Sequence, residues 1–151
     1  MATRYEVTHT ARIGAPAAQV YDVLADYRNG HPRILPPQFQ NFVVEQGGRG
    51  AGTLTRFEMK AFGRTLPFRH EVLEPEPGRV LVERDRDLDT RTTFTVEPLG
   101  PAAAEVTIRT ELTSRSGLSG KVERFLSTRY LLGIYRRELE NLSAFVTKNS
   151  A

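Results

Sequence analysis

A chain of 151 residues is long enough to bury a core or wrap a sizeable cavity, and short enough to form one domain. It contains no cysteine, which excludes disulfides and thiolate chemistry. Its 21 basic and 18 acidic residues are mixed along the sequence; a net charge of +3 with no Lys/Arg block gives no signal for nucleic acid. Residues 4–13, RYEVTHTARI, alternate: Tyr5, Val7, His9, Ala11 and Ile13 share one face, as in a half-buried strand. The N-terminal residues lack the apolar core of a signal peptide and no apolar run is long enough to span a bilayer, so a cytoplasmic location is expected.

Gly14-Ala15-Pro16 ends the strand, and Pro16 suits a first helical turn. Val20, Tyr21, Val23, Leu24 and Tyr27 then predict a helix over 16–28. Asn29-Gly30 stops it, and HPRILPP is a short proline-bounded piece in which His31 is expected to be exposed. From residue 39 onward the pattern is strands separated by turns: FQNFVVEQ, TLTRFEMK, RTLPFRHEVLE, RVLVERDRD, TRTTFTVEPL and AAEVTIRTELT. Connections of hairpin length favour an antiparallel meander. From Gly117 to about Thr147 the period changes. Leu118, Val122, Phe125, Leu126, Leu132, Tyr135, Leu139, Leu142, Phe145 and Val146 predict a single long amphipathic helix over 118–147. Gly133 costs such a helix about 1 kcal/mol relative to alanine, so it is expected where backbone or ligand approaches closely.

The stretch EQGGRGAGTL, residues 45–54, holds four glycines between 47 and 52 and invites a phosphate-loop reading. That reading needs a lysine where Thr53 stands and a helix afterwards, whereas TLTRFEMK reads as a strand. Asp85-Arg-Asp-Leu-Asp89 suggests a calcium loop, but Thr90 and Val96 occupy the positions that require Gly and Glu, so a solvated hairpin is expected. The three histidines, His9, His31 and His70, have no metal-ligand spacing. No motif calls for a cofactor or a metal. On the C-terminal helix, Arg124, Arg129, Arg136 and Arg137 alternate with Glu123, Glu138 and Glu140, the pattern of i,i+4 pairing on a wet face.

The order strand, helix pair, six-strand meander, long helix resembles the helix-grip fold of the START-related superfamily called SRPBCC. Local features carry the resemblance: Ala15-Pro16 before Val20-Tyr21 and Leu24, then Asp26 and Pro32; the glycine turn before Thr53; Glu74-Pro75 before Arg79-Val80-Leu81; TFTVEP at 93–98; VTI at 106–108; and Leu139-Glu140-Asn141-Leu142. The resemblance spans nearly the whole chain. It implies one α+β domain over 1–151, with a curled antiparallel sheet of about seven strands wrapped round the C-terminal helix and two short helices after the first strand. It also implies that the glycine turn borders a cavity, and that the entrance differs from that of relatives with a Trp where this chain has Ile34 and Leu35.

In that fold the space between sheet and helix is the functional site. Alternation and helical spacing then nominate Phe57, Met59, Phe68, His70, Phe94, Val96, Ile108, Thr110, Leu112, Leu132, Tyr135 and Leu139 as cavity residues, with Leu66 and Val72 on the face of His70. His70 is the candidate acid/base, since unperturbed imidazole titrates near neutrality. A lone histidine on an apolar face is more often a hydrogen-bonded core residue, and this holds for His9 as well. One of Glu83 and Arg84 must face inward, and the pattern leaves open which. The resemblance implies binding of a hydrophobic small molecule such as a lipid, a polyketide or an isoprenoid-like compound. The alternatives are a polyketide cyclase or dehydratase, and a protein- or ribosome-associating module of the coenzyme Q-binding-like branch. Sequence leaves oligomeric state open.

Overall fold

The computed structural model describes residues 2–149. Strand β1 (Ala2–Ile13) is followed by helix α1 (Ala17–Ala25) and a 3-10 turn at His31–Arg33. Then come β2 (Phe39–Gln46), β3 (Leu54–Ala61), β4 (Arg64–Glu76), β5 (Val80–Asp85), β6 (Thr90–Pro98), β7 (Ala104–Arg115) and helix α2 (Gly117–Asn149). The strands form one antiparallel sheet in the order β1-β7-β6-β5-β4-β3-β2. This is the expected α+β helix-grip architecture: a curled, unclosed sheet with the C-terminal helix packed on β1, β7 and α1. The expected helix pair is one α-helix and a single 3-10 turn, because Pro32, Pro36 and Pro37 stop the second piece from propagating.

Alternation along the strands supplies the core. Val7 and Ile13 of β1 and Val106 and Ile108 of β7 are buried, as are Phe94 and Val96 of β6. Ile134, Leu139, Leu142 and Val146 of α2 close the other side. The β4–β5 ladder ends at Glu71/Arg84, so the first half of β4 pairs with β3 alone. Pro67 is tolerated there because its missing N–H faces no partner strand. In this free-standing part of the hairpin Leu66 is 39% exposed, not inward as expected.

Two further expectations fail at α2. Leu118, Val122, Phe125 and Leu126 belong to the apolar stripe but are exposed, since the helix overruns the part of the sheet that would cover them. Gly133 is also exposed, the helix runs through it unbroken, and a Cβ there would meet nothing within 4 Å. No close approach explains this glycine.

The glycine-rich turn does not border the cavity. It grips the end of α1: the Tyr27 N–H donates to the Gly48 carbonyl and the Gly50 N–H to the Ala25 carbonyl, both at 2.9 Å. The Ala51 N–H donates to Glu74, whose other carboxylate oxygen accepts from Tyr21. Gly48 and Gly50 have positive φ, and a side chain on either would collide with Arg28 or with the Glu74 carboxylate. Arg49 pairs with Asp22 at 2.7 Å. The turn is a clasp between α1 and the sheet.

Candidate functional site

A cavity of about 90 Å³ lies between α2 and the concave face of the sheet. Its apolar wall is built by Phe39 and Phe42 of β2, Phe57 and Met59 of β3, and Phe68 of β4. These rings pack on one another, with Phe57 and Phe68 stacked at 5.1 Å. Leu35, Phe94, Leu112 and Leu131 complete the apolar lining. Of the nominated residues, Phe57, Met59, Phe68, His70, Phe94, Thr110, Leu112 and Tyr135 stand round this space. Val96, Ile108 and Leu139 do not: they are packed core, at most 1% exposed. Leu132 is half-buried, and the helix turns Leu131 into the cavity in its place. His9 lies opposite Ile108 in the β1–β7 ladder, away from the cavity.

The polar side of the cavity is an ion cluster. Glu83, not Arg84, faces inward and is buried; Arg84 points outward and pairs with Glu71 at 3.0 Å. Glu83 accepts a hydrogen bond from the Tyr27 hydroxyl at 2.7 Å. Its carboxylate also lies 3.7 Å from His31 Nε2 and 3.5 Å from His70 Nδ1. His31, expected to be exposed, is 2% exposed because the 3-10 turn folds it under α1, where it stacks on Tyr27. The Leu24 carbonyl can only accept, so His31 Nδ1 donates to it, at 2.7 Å. This leaves His31 Nε2 between Glu83 and Glu138, at 3.7 and 3.6 Å.

Burial by itself pushes His31 down, but the Glu83 charge and Glu138 bring it up to about 9. Burial pushes Glu83 up, but the His31 charge and both histidine contacts outweigh it and hold it at about 2. His31 and Glu83 are therefore a charged pair at neutral pH. Burial raises Glu138 above the ordinary carboxylate range, with the Glu83 charge adding to it. Burial likewise raises Tyr27 and Tyr135.

His70 differs from His31. Its Nδ1 faces Glu83, its ring meets Phe57 edge-on at 5.0 Å, and its Nε2 has no hydrogen bond among the described residues. Besides the cavity it lines a polar cleft on the outside of the sheet with Glu45, Arg69 and Arg84. On the far side of the cavity, Thr92, Thr110 and Tyr135 form a ladder of hydroxyls: Thr92 to Thr110 at 2.8 Å, and Thr110 to Tyr135.

The family model described as polyketide cyclase / dehydrase and lipid transport matches residues 4–146. The chain belongs to this family. Among solved structures, the KanY protein, studied by NMR, is similar over 96% of this chain and 99% of its own, with a TM-score of 0.85 and 26% identity. The Zhui aromatase/cyclase from Streptomyces sp. R1128 is similar over 99% of this chain and 97% of its own, with a TM-score of 0.75 and 16% identity. Norcoclaurine synthase from Thalictrum flavum aligns over 100% of this chain and 99% of its own, with a TM-score of 0.73 and 17% identity. The last two likenesses show the fold alone. No curated protein sequence matches. Membership gives the chain a role of the family's kind, the handling of a hydrophobic small molecule or polyketide cyclase-type chemistry. Among the described residues no helix is long and apolar enough to cross a membrane.

Sequence reasoning missed His31, Glu83 and Glu138 as members of one cluster. For Glu138 a signal existed: it lies one turn after Tyr135 and one turn before Leu142, within the apolar stripe of α2 and not on its wet face. Asp85, assigned to a solvated hairpin, is 1% exposed and accepts from the backbone N–H groups of Arg69, Asp87 and Leu88, a cap that ends β5.

Proposed function

We propose that this protein binds an apolar small molecule by one end, in the cavity between α2 and the sheet. The observation that carries the reading is the lining itself: phenylalanine rings on one side, and a few buried polar groups on the other that orient a ligand. A space of about 90 Å³ is smaller than the roughly 300–1,000 Å³ of sites that enclose a drug-sized ligand. It suits one ring or a chain end, with the rest of the ligand lying across the mouth beside Leu35 and Phe42. The test is titration with an apolar fluorescent probe, 1-anilinonaphthalene-8-sulfonate, against the wild-type protein and Phe57→Ala. A changed probe affinity, with a stability loss well below the roughly 3–5 kcal/mol of a packed phenylalanine, is expected. Unchanged probe binding with the full loss assigns Phe57 to the core and rejects the reading.

A second reading, chemistry of the cyclase/dehydratase type, is favoured by His70. Its Nδ1 side is held by a carboxylate and its Nε2 has no protein partner, the arrangement of an oriented acid/base. On a polyketide-like substrate turned over by the wild-type protein, His70→Gln should then lose about 10²–10⁴-fold in rate with affinity nearly intact. Loss of affinity alone, by roughly 0.5–1.5 kcal/mol, makes His70 a ligand-orienting group.

A further inference from the structure

Glu138 is the one acid of the cluster whose capacity the cluster leaves unused. It is 2% exposed and lines the cavity, yet its single ion-pair contact among the described residues is His31 Nε2 at 3.6 Å, longer than a hydrogen bond. The charge of His31 is already matched by Glu83, so a second carboxylate there is one negative charge too many in a site sealed from water. A proton on Glu138 restores the balance, in keeping with the direction in which burial moves it. A protonated carboxyl is a hydrogen-bond donor.

Tyr135 stands three residues earlier on α2, on the same helical face, and lines the same cavity. It ends the ladder of three hydroxyls that runs through Thr110 to Thr92. Three hydroxyl hydrogens serve two contacts, so one hydrogen at an end of the ladder remains to be donated outward. No lysine or arginine lines the cavity. An anionic carboxylate or phosphate therefore finds no permanent counter-charge, whereas a neutral oxygen acceptor finds two donors.

We propose that Tyr135 and Glu138 form a two-donor seat for the carbonyl oxygen of a neutral ligand, making an uncharged ketone or a related carbonyl compound the class this cavity selects. The inference rests on the reading that the cavity takes an apolar molecule. Preorganised donors at a carbonyl oxygen in a water-poor site also stabilise the enolate of that ligand more than the ketone itself, so the same seat serves binding and any chemistry next to the carbonyl.

The test compares two ligands of one shape, 4-fluoroacetophenone and 4-fluoro-α-methylstyrene, by ¹⁹F NMR titration. The ketone oxygen can accept and cannot donate; the alkene does neither. Tyr135→Phe and Glu138→Leu are each expected to weaken the ketone about three- to tenfold, the range of one hydrogen bond. The alkene should stay within about twofold in the same variants. Glu138→Gln keeps an N–H donor and should recover part of the loss. With the wild-type protein, ketone affinity should fall between about pH 6 and about pH 9 as Glu138 ionises, and alkene affinity should not. The groups facing Glu138 through that titration are His31 from the 3-10 turn, Glu83 and His70 from the sheet, Tyr27 after α1, and Tyr135 on its own helix. Parallel changes for the two ligands, or a ketone affinity indifferent to both variants and to pH, overturn the carbonyl seat and leave the binding cavity standing. If neither ligand binds the wild-type protein, the cavity reading falls and the seat falls with it. The pH series needs no substitution, so a variant that fails to fold does not remove the test.

Discussion

The two halves of α2 carry the same apolar spacing and meet different surroundings. In the second half Leu139 and Leu142 are at most 1% exposed, packed on the sheet and α1. In the first half Leu118 is 78% and Phe125 60% exposed. That half is tied to the sheet at its edges, by polar contacts: Arg124 donates to the Ser114 hydroxyl and the Arg115 carbonyl, and Tyr130 donates to the Lys60 carbonyl. Hydrophobic periodicity states which face of a helix is apolar. Whether anything covers that face depends on how far the curled sheet reaches, which is a property of other strands.

The sharpest way to break this comparison is to truncate one residue in each half. Leu142→Ala removes a fully buried side chain and should cost about 2–5 kcal/mol, read as a shift in the urea midpoint with an unchanged slope. A loss below about 1 kcal/mol would mean that the second half is not packed as described.

The buried cluster gives the next effect, as a pH dependence. His31 is held at about 9 against an ordinary 6.5, so the stability it contributes is complete below pH 6.5 and lost as pH rises to about 9. Glu138, raised from 4.5, acts in the same direction: it favours the folded state while protonated, and its contribution fades as pH climbs above 4.5. Glu83, held at about 2, contributes above pH 4.5 and is lost as pH falls toward 2. The urea midpoint should therefore fall on the alkaline side, by no more than about 1.4 kcal/mol per pH unit for each proton. His31→Gln should flatten that limb. A midpoint flat from about pH 6 to about pH 9 in the wild-type protein would contradict the charged pair.

Gly133→Ala sharpens the comparison from the stabilising side. The position has open space and lies inside a continuous helix, so a gain of about 0.4–1 kcal/mol is expected in thermal or urea unfolding. A destabilised variant would reveal a close neighbour at that face. The smallest effect belongs to Phe125→Ala. Its ring is exposed and carries only the Arg129 guanidinium above it, at 5.8 Å, so stability should change by less than about 0.5 kcal/mol. A loss of several times that would show that the first half of α2 is covered in solution.

Much of the architecture was legible in the residues. Tyr5 to Ile13 alternate because one face of β1 is buried and the other is wet, and each hairpin announces itself through Gly or Pro chemistry such as Pro75-Glu-Pro-Gly78. The site was legible in part: period-two spacing brought Phe57, Met59, Phe68 and His70 to one face, and they do line one space. What alternation lacked was depth. Val96 and Ile108 share a face with Phe94 and Thr110, yet the sheet's curl seals the former into core and opens the latter onto the cavity.

Sequence by itself determined the element order, the inward and outward faces of the strands, and the family, because these follow from local periodicity and turn chemistry. Only the tertiary structure decided that Glu83 and not Arg84 turns inward, that His31 is enclosed, and that Glu138 leaves the wet face to join them. The physical reason lies in distance along the chain. Those groups come from the 3-10 turn, β5 and α2, and a charge is tolerated in the interior only where a partner from a remote element arrives to meet it.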